Sequence, residues 1–408
     1  MKKVSKLSIA VTLAVGFAGV VSAADLTVWE DIQKSQGINN AVVDFEKQFN
    51  VSVDIKEMPY TGQIEKVRLD GPAGIGPDVM LIPHDQMGAA VVQGLITPLE
   101  FMQTDKGNYT DSSVQAFTTG GKIYGCPKVV ESVVMFYNQD MLPKPLATMD
   151  EYYDYSKKVH DADKNKYGLL AKWDSVYYAY GALRAYGAYV FKRDAGGDFD
   201  VKDLGLSNQG AIDAVTYMKK FYTDGLFPVG IVGDNGGNAI DSLFTEKKAA
   251  AVITGPWNLE PYANAGINYG VSPLPKMPNG QDMSSFMGVK GYVVSTWAKD
   301  HALAEKFLQF INQPKYVVER YEATKEIPPV KAVMEDKVIK DDPIASAIAV
   351  QASRAEPMPS IPEMGEVWGP IDAALQLCMT GKQDVKEALT AATDHIKSQI
   401  EAFRADNQ

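Results

Sequence analysis

From Leu26 onward, short runs rich in β-branched and aromatic residues alternate with windows whose apolar positions recur at helical spacing. That rhythm predicts an α/β fold with largely parallel sheets. Leu26 to Trp29, Val51 to Ile55, Asp78 to Ile82, Val129 to Tyr137, Tyr167 to Leu170, Ala249 to Thr254 and Tyr292 to Ser295 read as strands. Ile38 to Phe49 reads as a helix because Ile38, Val42, Phe45 and Phe49 share one face, and Asp85 to Gln93, Asn208 to Tyr222 and Ala302 to Ile311 repeat the pattern. From Asp342 the chain is almost all helical in pattern. Pro and Gly cluster at 71–77, 143–145, 225–237, 273–280 and 357–362, which marks loops or crossovers. There is no internal repeat, which argues against a solenoid.

The first residues follow a different grammar. Lys2, Lys3 and Lys6 precede an uncharged run from Leu7 to Val21, and small residues follow at Ser22, Ala23 and Ala24. This is the layout of a secretory signal peptide, 1–23, with cleavage expected after Ala23. The run is shorter than the roughly 20 residues a membrane span needs, and a retained anchor is the lesser alternative. No cysteine stands at the cleavage site to take a lipid, so the expected product is soluble, not lipid-anchored, and periplasmic in a cell with an outer membrane. Its loss deepens the net charge from −11 to −14, because the leader carries three lysines and no acids. An acidic chain of 408 residues, 22% charged and 46% hydrophobic, is neither a disordered tail nor a nucleic-acid binder; a neutral or cationic small ligand suits it better. Cys126 and Cys378 are too few and too far apart for a metal knuckle, and paired or free thiols both fit the sequence.

The usual enzyme signatures are absent: no phosphate-binding P-loop, no dinucleotide fingerprint, no nucleophile elbow, no paired-histidine zinc motif. Asp161, Asp163 and Asn165 imitate the start of a calcium loop, but Lys166 replaces its glycine and Lys172 its bidentate acid, so a solvated hairpin turn is the better reading. No metal and no cofactor are expected. A glycosidase needs two facing carboxylates, and no spacing singles out such a pair.

Aromatic residues beside polar groups at element ends carry more information. Trp29 precedes Glu30, Asp31 and Lys34; Tyr177 and Tyr178 follow Trp173 and Asp174; Trp257 sits in a Gly-Pro-Trp turn after an apolar strand; Trp368 follows the proline-rich 358–362. Any one ring is most simply core packing. Together they point to a carbohydrate site, where the C–H face of a sugar stacks on a ring and ionised carboxylates accept from its hydroxyls.

At these residues the chain resembles the solute-binding proteins of ABC sugar importers, specifically the maltose and maltodextrin binders. The resemblance runs from Leu26 to the C-terminal helix and is carried by GPDVMLIPHDQMG, VVESVVMFYNQDMLPKP, GAYVFK, ITGPW and EPMPSIPEMGEVW. It implies a two-lobed periplasmic-binding-protein fold of the class II type, with a hinge crossed three times, near Val130, Val271 and Lys340, and a ligand cleft between the lobes. One lobe would hold residues 25–130 and 272–340, the other 131–271 and 341–408. Carried over residue by residue, Asp85 and Glu131 are implied hydroxyl acceptors, Lys34 a donor, and Tyr177, Trp257 and Trp368 stacking platforms; Asp31, Glu65 and Tyr178 complete the expected ligand-binding set. The implied role is capture of maltose or a malto-oligosaccharide by hinge closure and delivery to membrane permease subunits, by a monomer and without catalysis. Ile82, Gln86 and Gln33 depart from the maltose pattern, where a tryptophan, a basic residue and an acid are usual, so a changed subsite preference follows. A binder of another oligosaccharide, such as a galacto- or fructo-oligomer, and a secreted glycosidase remain the alternatives.

Overall fold

The computed structural model describes residues 24–193 and 199–406. The leader and its cleavage point therefore lie outside the described residues. Two mixed sheets organise the rest. In the larger, Leu26–Glu30 runs parallel to Val53–Glu57 and to Val79–Pro83, while the long strand Phe286–Ser295 lies antiparallel to Val79–Pro83 and to Cys126–Ser132. In the smaller, Val134–Asn138 lies antiparallel to Tyr269–Ser272 and Ala249–Thr254, and the last pairs parallel with Tyr167–Ala171. The expectation of largely parallel sheets is thus corrected. Antiparallel neighbours arise where the chain leaves one sheet for the other and returns, so that a strand arrives from the opposite direction.

The span read as one strand, Val129 to Tyr137, is two strands in different sheets, broken at Val133. Apolar, buried runs at 129–130 and 133–137 are separated only by Glu131 and Ser132, too short a polar step for periodicity to mark the break. The chain recrosses between Ser272 and Phe286, and Glu356–Pro357 later returns to the edge of the larger sheet beside Phe286. Residues 355–364 interrupt the predicted helical tail, leaving helices Pro343–Arg354, Gly365–Met379 and Val385–Asp406.

Local chemistry sets several boundaries. Thr148 and Glu151 form a reciprocal capping box at Met149–Val159, and Asn208 accepts from the Ala211 N–H at 2.8 Å to start Gln209–Thr223. Asp161 and Lys166 exchange backbone hydrogen bonds across the calcium-loop lookalike, and Lys172 pairs with Asp174 and the Gly233 carbonyl, so that segment is a closed turn. Cys126 and Cys378 are both free and buried. Among the described residues no helix is long and apolar enough to cross a membrane.

The consequence for function lies at the strand ends. Leu26–Glu30, Val79–Pro83 and Cys126–Ser132 in one sheet, and Ala249–Thr254 in the other, deliver Asp31, Asp85, Glu131 and Trp257 just at or beyond their carboxyl ends. In open α/β sheets that is where ligands bind.

Candidate functional site

Two contiguous cavities lie where these ends meet. One, of about 440 Å³, is lined by Tyr60, Asp85, Gln86, Tyr177, Trp257 and Trp368 among others. The other, of about 560 Å³, is lined by Asp31, Lys34, Glu260, Lys290 and Glu326 among others. Tyr60, Glu131, Trp257 and Lys290 belong to both, so they form one cleft with an aromatic and a charged compartment. A larger cavity of about 730 Å³, between Phe49, Asp105, Lys306 and Phe310, carries none of the nine expected residues.

The aromatic wall comes from the smaller sheet and its helices. Tyr177 lies in helix Val176–Ala185, and its ring centroid is 6.3 Å from that of Trp257 and 6.3 Å from that of Phe286; Trp368 meets Phe286 edge-on at 5.7 Å. Asp372, one helical turn beyond Trp368, accepts from the Val176 N–H at 2.6 Å, so the helix bearing Trp368 caps the helix bearing Tyr177. Asn258 and Tyr262 both bond to Asp241, at 3.0 and 2.5 Å, and this anchors the turn that presents Trp257. Gly255 is required there, because a Cβ would lie 2.1 Å from the Trp257 ring. Burial pushes the carboxyl groups of both Asp372 and Asp241 above their ordinary range, against the lowering effect of these hydrogen bonds. Trp257 remains 39% exposed, which a ring serving only the core would not be.

The charged wall comes from the larger sheet. His84 is fully buried: its Nδ1 accepts from the Val289 N–H at 3.1 Å, so the neutral ring donates from Nε2 to the Met358 carbonyl at 3.0 Å. Burial holds its pKa below the usual value, and the two bonds fix the turn that carries Asp85. Glu57 accepts from the Gln33 and Ser35 N–H groups at 3.1 and 3.0 Å and pins the loop bearing Lys34; Gln33 takes a left-handed φ of 59° to make that turn. Beneath lies a buried run of charge. Lys128 Nζ is 2.9 Å from Glu30 and 3.2 Å from Glu326, and the Tyr292 hydroxyl bonds to Glu30. Burial opposes the charge on Glu326, but Lys128, Lys290 and Lys34 outweigh it and hold the carboxyl down at about 2. Lys290 is 3.0 Å from Glu131, and burial of its ammonium is outweighed by Glu131 and Glu326, which raise its pKa.

Seven of the nine expected residues, Asp31, Lys34, Asp85, Glu131, Tyr177, Trp257 and Trp368, line the cleft. Two stand apart. Glu65 is exposed on helix Gln63–Asp70 and pairs with Arg68, and Tyr178 packs edge-on behind Tyr177 at 5.3 Å. Trp29 and Trp173 are fully buried and pack in the core. The sequence reading missed Tyr60, Lys290, Glu260 and Glu326. Lys290 had a signal, a lone charge inside the apolar strand Phe286–Ser295; Glu326 sits in an unpatterned Lys-Glu-Ile-Pro-Pro segment that gives none.

The model of the bacterial extracellular solute-binding protein family matches residues 40–347. A galactooligosaccharide-binding protein of Bacillus subtilis is 48% identical over 93% of this chain and 90% of its own length; a maltodextrin-binding protein of the same organism is 34% identical over 98% of each. Among solved structures, a cyclo/maltodextrin-binding protein complexed with maltotetraose superposes with a TM-score of 0.86 at 37% identity, covering 93% of this chain and 98% of the other. With the match to the family model spanning most of the chain and both relatives aligned over nearly their full length, this protein belongs to the bacterial extracellular solute-binding proteins.

Proposed function

We propose that this protein captures a neutral oligosaccharide built of galactose units in the cleft between two lobes, and delivers it to the membrane subunits of an ABC importer without breaking a bond. The observation that carries the reading is the opposition of the Tyr177, Trp257 and Trp368 rings to Asp85, Glu131 and Lys34 in one cleft. Rings stack on the C–H face of a sugar, while fixed carboxylates and an ammonium bond its hydroxyls. The axial O4 of galactose leaves three C–H groups on one face, an apolar patch suited to such a wall. The 48% relative binds galactooligosaccharide by its name, and Gln86 and Gln33, which line the cleft, depart from the maltose pattern; Ile82, the third departure, is fully buried, lines neither cavity and carries no part of the reading.

A maltodextrin ligand is the second reading, favoured by the 34% relative and by the maltotetraose-bound neighbour. The lobes are proposed as 25–130 with 272–340 and 131–271 with 341–408, a division that the two main sheets follow except at the crossings and for Glu356–Pro357, which joins the larger sheet. Hinge closure over the sugar then shifts a population toward the form a permease recognises. The protein acts as a secreted monomer in this reading.

Calorimetry with β-1,4-galactobiose, galactotriose, maltose, maltotriose and cellobiose tests the assignment. Tighter binding of the galactose oligomers supports it; tight maltotriose with silent galactotriose overturns it in favour of the second reading. Release of reducing ends from any bound sugar would contradict binding without catalysis.

A further inference from the structure

The junction of the two compartments is held by a lysine. Lys290 projects from the middle of strand Phe286–Ser295, where its neighbours Val289, Tyr292 and Val293 are buried, and its side chain is only 10% exposed yet lines both cavities. Its Nζ lies 3.0 Å from Glu131 and 3.9 Å from Asp31, and 4.5 Å from the centroid of the Tyr60 ring. An ammonium has three N–H donors, and only one of these carboxylates is within hydrogen-bond distance. The ring face of Tyr60 and the two acids fix the charge in place without using all of its donors.

Resting on the oligosaccharide reading above, we propose that Lys290 is a ligand-contacting residue that sets selectivity for sugar length, by donating to an oxygen of the unit that passes from the aromatic into the charged compartment. Glu131 then accepts from a neighbouring hydroxyl of the same unit, so the pair reads one donor and one acceptor together. A shorter sugar that stops short of the junction of the two compartments gains nothing from Lys290; one long enough to cross the junction gains a charge-assisted bond at one step of the length series. Glu326, held ionised beneath with Lys128 at 3.2 Å, keeps the field at Lys290 favourable to its charge.

The test is a calorimetric series of galactose oligomers from one to four units on the wild type, Lys290→Met and Lys290→Arg. Lys290→Met should weaken the longest ligand about 10- to 100-fold and remove the affinity gain at one length step, leaving shorter ligands within about threefold; Lys290→Arg should keep that step. An unchanged series in Lys290→Met, or an equal loss at every length in both variants, overturns the proposal and leaves Lys290 a structural ion-pair partner. Because Lys290→Met exposes Glu131 to a lost partner, a second readout uses the wild type: the 15Nζ resonance of Lys290, identified by its absence in Lys290→Arg, should shift on saturation, and an unmoved resonance contradicts contact. If only malto-oligosaccharides bind, the galactose assignment fails, and the same variants on the malto series still decide the role of Lys290.

Discussion

The two walls of the cleft are built on opposite electrostatic terms. On the charged wall, acids are paired with buried ammonium groups, Glu326 against Lys128 and Glu131 against Lys290, and Glu326 is thereby kept ionised. On the aromatic wall, the acids under the rings, Asp241 and Asp372, face backbone N–H, amide and hydroxyl groups, and burial raises their pKa. The first arrangement needs its charges; the second needs only acceptors. A sugar-binding cleft has use for both, since hydroxyls require fixed polar partners while a stacking ring requires only to be held at the right angle.

The largest expected effect breaks the charged wall. Lys128→Ala leaves Glu30 and Glu326 buried without their cation and should cost about 3 to 5 kcal/mol in denaturant unfolding, while a cost under about 1 kcal/mol would mean the buried charges are already compensated elsewhere. Next comes Glu326→Gln. The folded pKa of Glu326 is depressed from 4.5 to about 2, so its contribution is complete above pH 4.5 and is lost as pH falls toward 2. At pH 7 the variant should lose on the order of 3 kcal/mol, and the loss should vanish near pH 2; a difference constant across that range contradicts the pairing.

Trp257→Ala should weaken sugar binding by about 1 to 3 kcal/mol while leaving the melting temperature nearly unchanged, because the ring is partly exposed. Asp372→Asn sharpens the comparison further. A raised folded pKa means that the contribution of Asp372 is complete below its ordinary 3.8 and is lost as pH rises through the folded value, the reverse of Glu326. An amide that still accepts from Val176 should therefore cost less than about 1 kcal/mol at pH 7; a loss as large as that of Glu326→Gln would erase the distinction between the walls. Glu65→Ala, which breaks only an exposed pair with Arg68, should change stability by less than about 0.5 kcal/mol and affinity less than twofold.

Much of this was readable in the chain. Strand cores such as Ala249–Thr254 and helices such as Asn39–Phe49 follow their periodicity closely. Seven cleft residues were reached through aromatic placement and family resemblance. What stayed hidden has physical causes. The sheet switch at Val133 follows Glu131 and Ser132, a two-residue polar step between apolar runs that is too short to mark a change of sheet. Trp29 and Trp173 look like site rings beside acids, but those neighbours, Glu30 and Asp174, are themselves buried and bonded, to Lys128 and Tyr292 in one case and to Lys172 and the Gly233 N–H in the other. Glu326 reaches the cleft only because the segment after helix Pro314–Thr324 runs beside Val130, whose N–H bonds to the Ile327 carbonyl, a contact across nearly two hundred residues.

In the proposed function one sugar touches both walls at once. This is tested most directly by calorimetry of galactotriose, or of whichever oligosaccharide binds the wild type, with Trp257→Ala, Asp85→Asn and the double variant. One-to-one binding in the wild type is expected, with at least fivefold weaker affinity in each single variant and a further loss in the double. Wild-type affinity in either single variant would place the ligand on one wall alone and rule out shared contact.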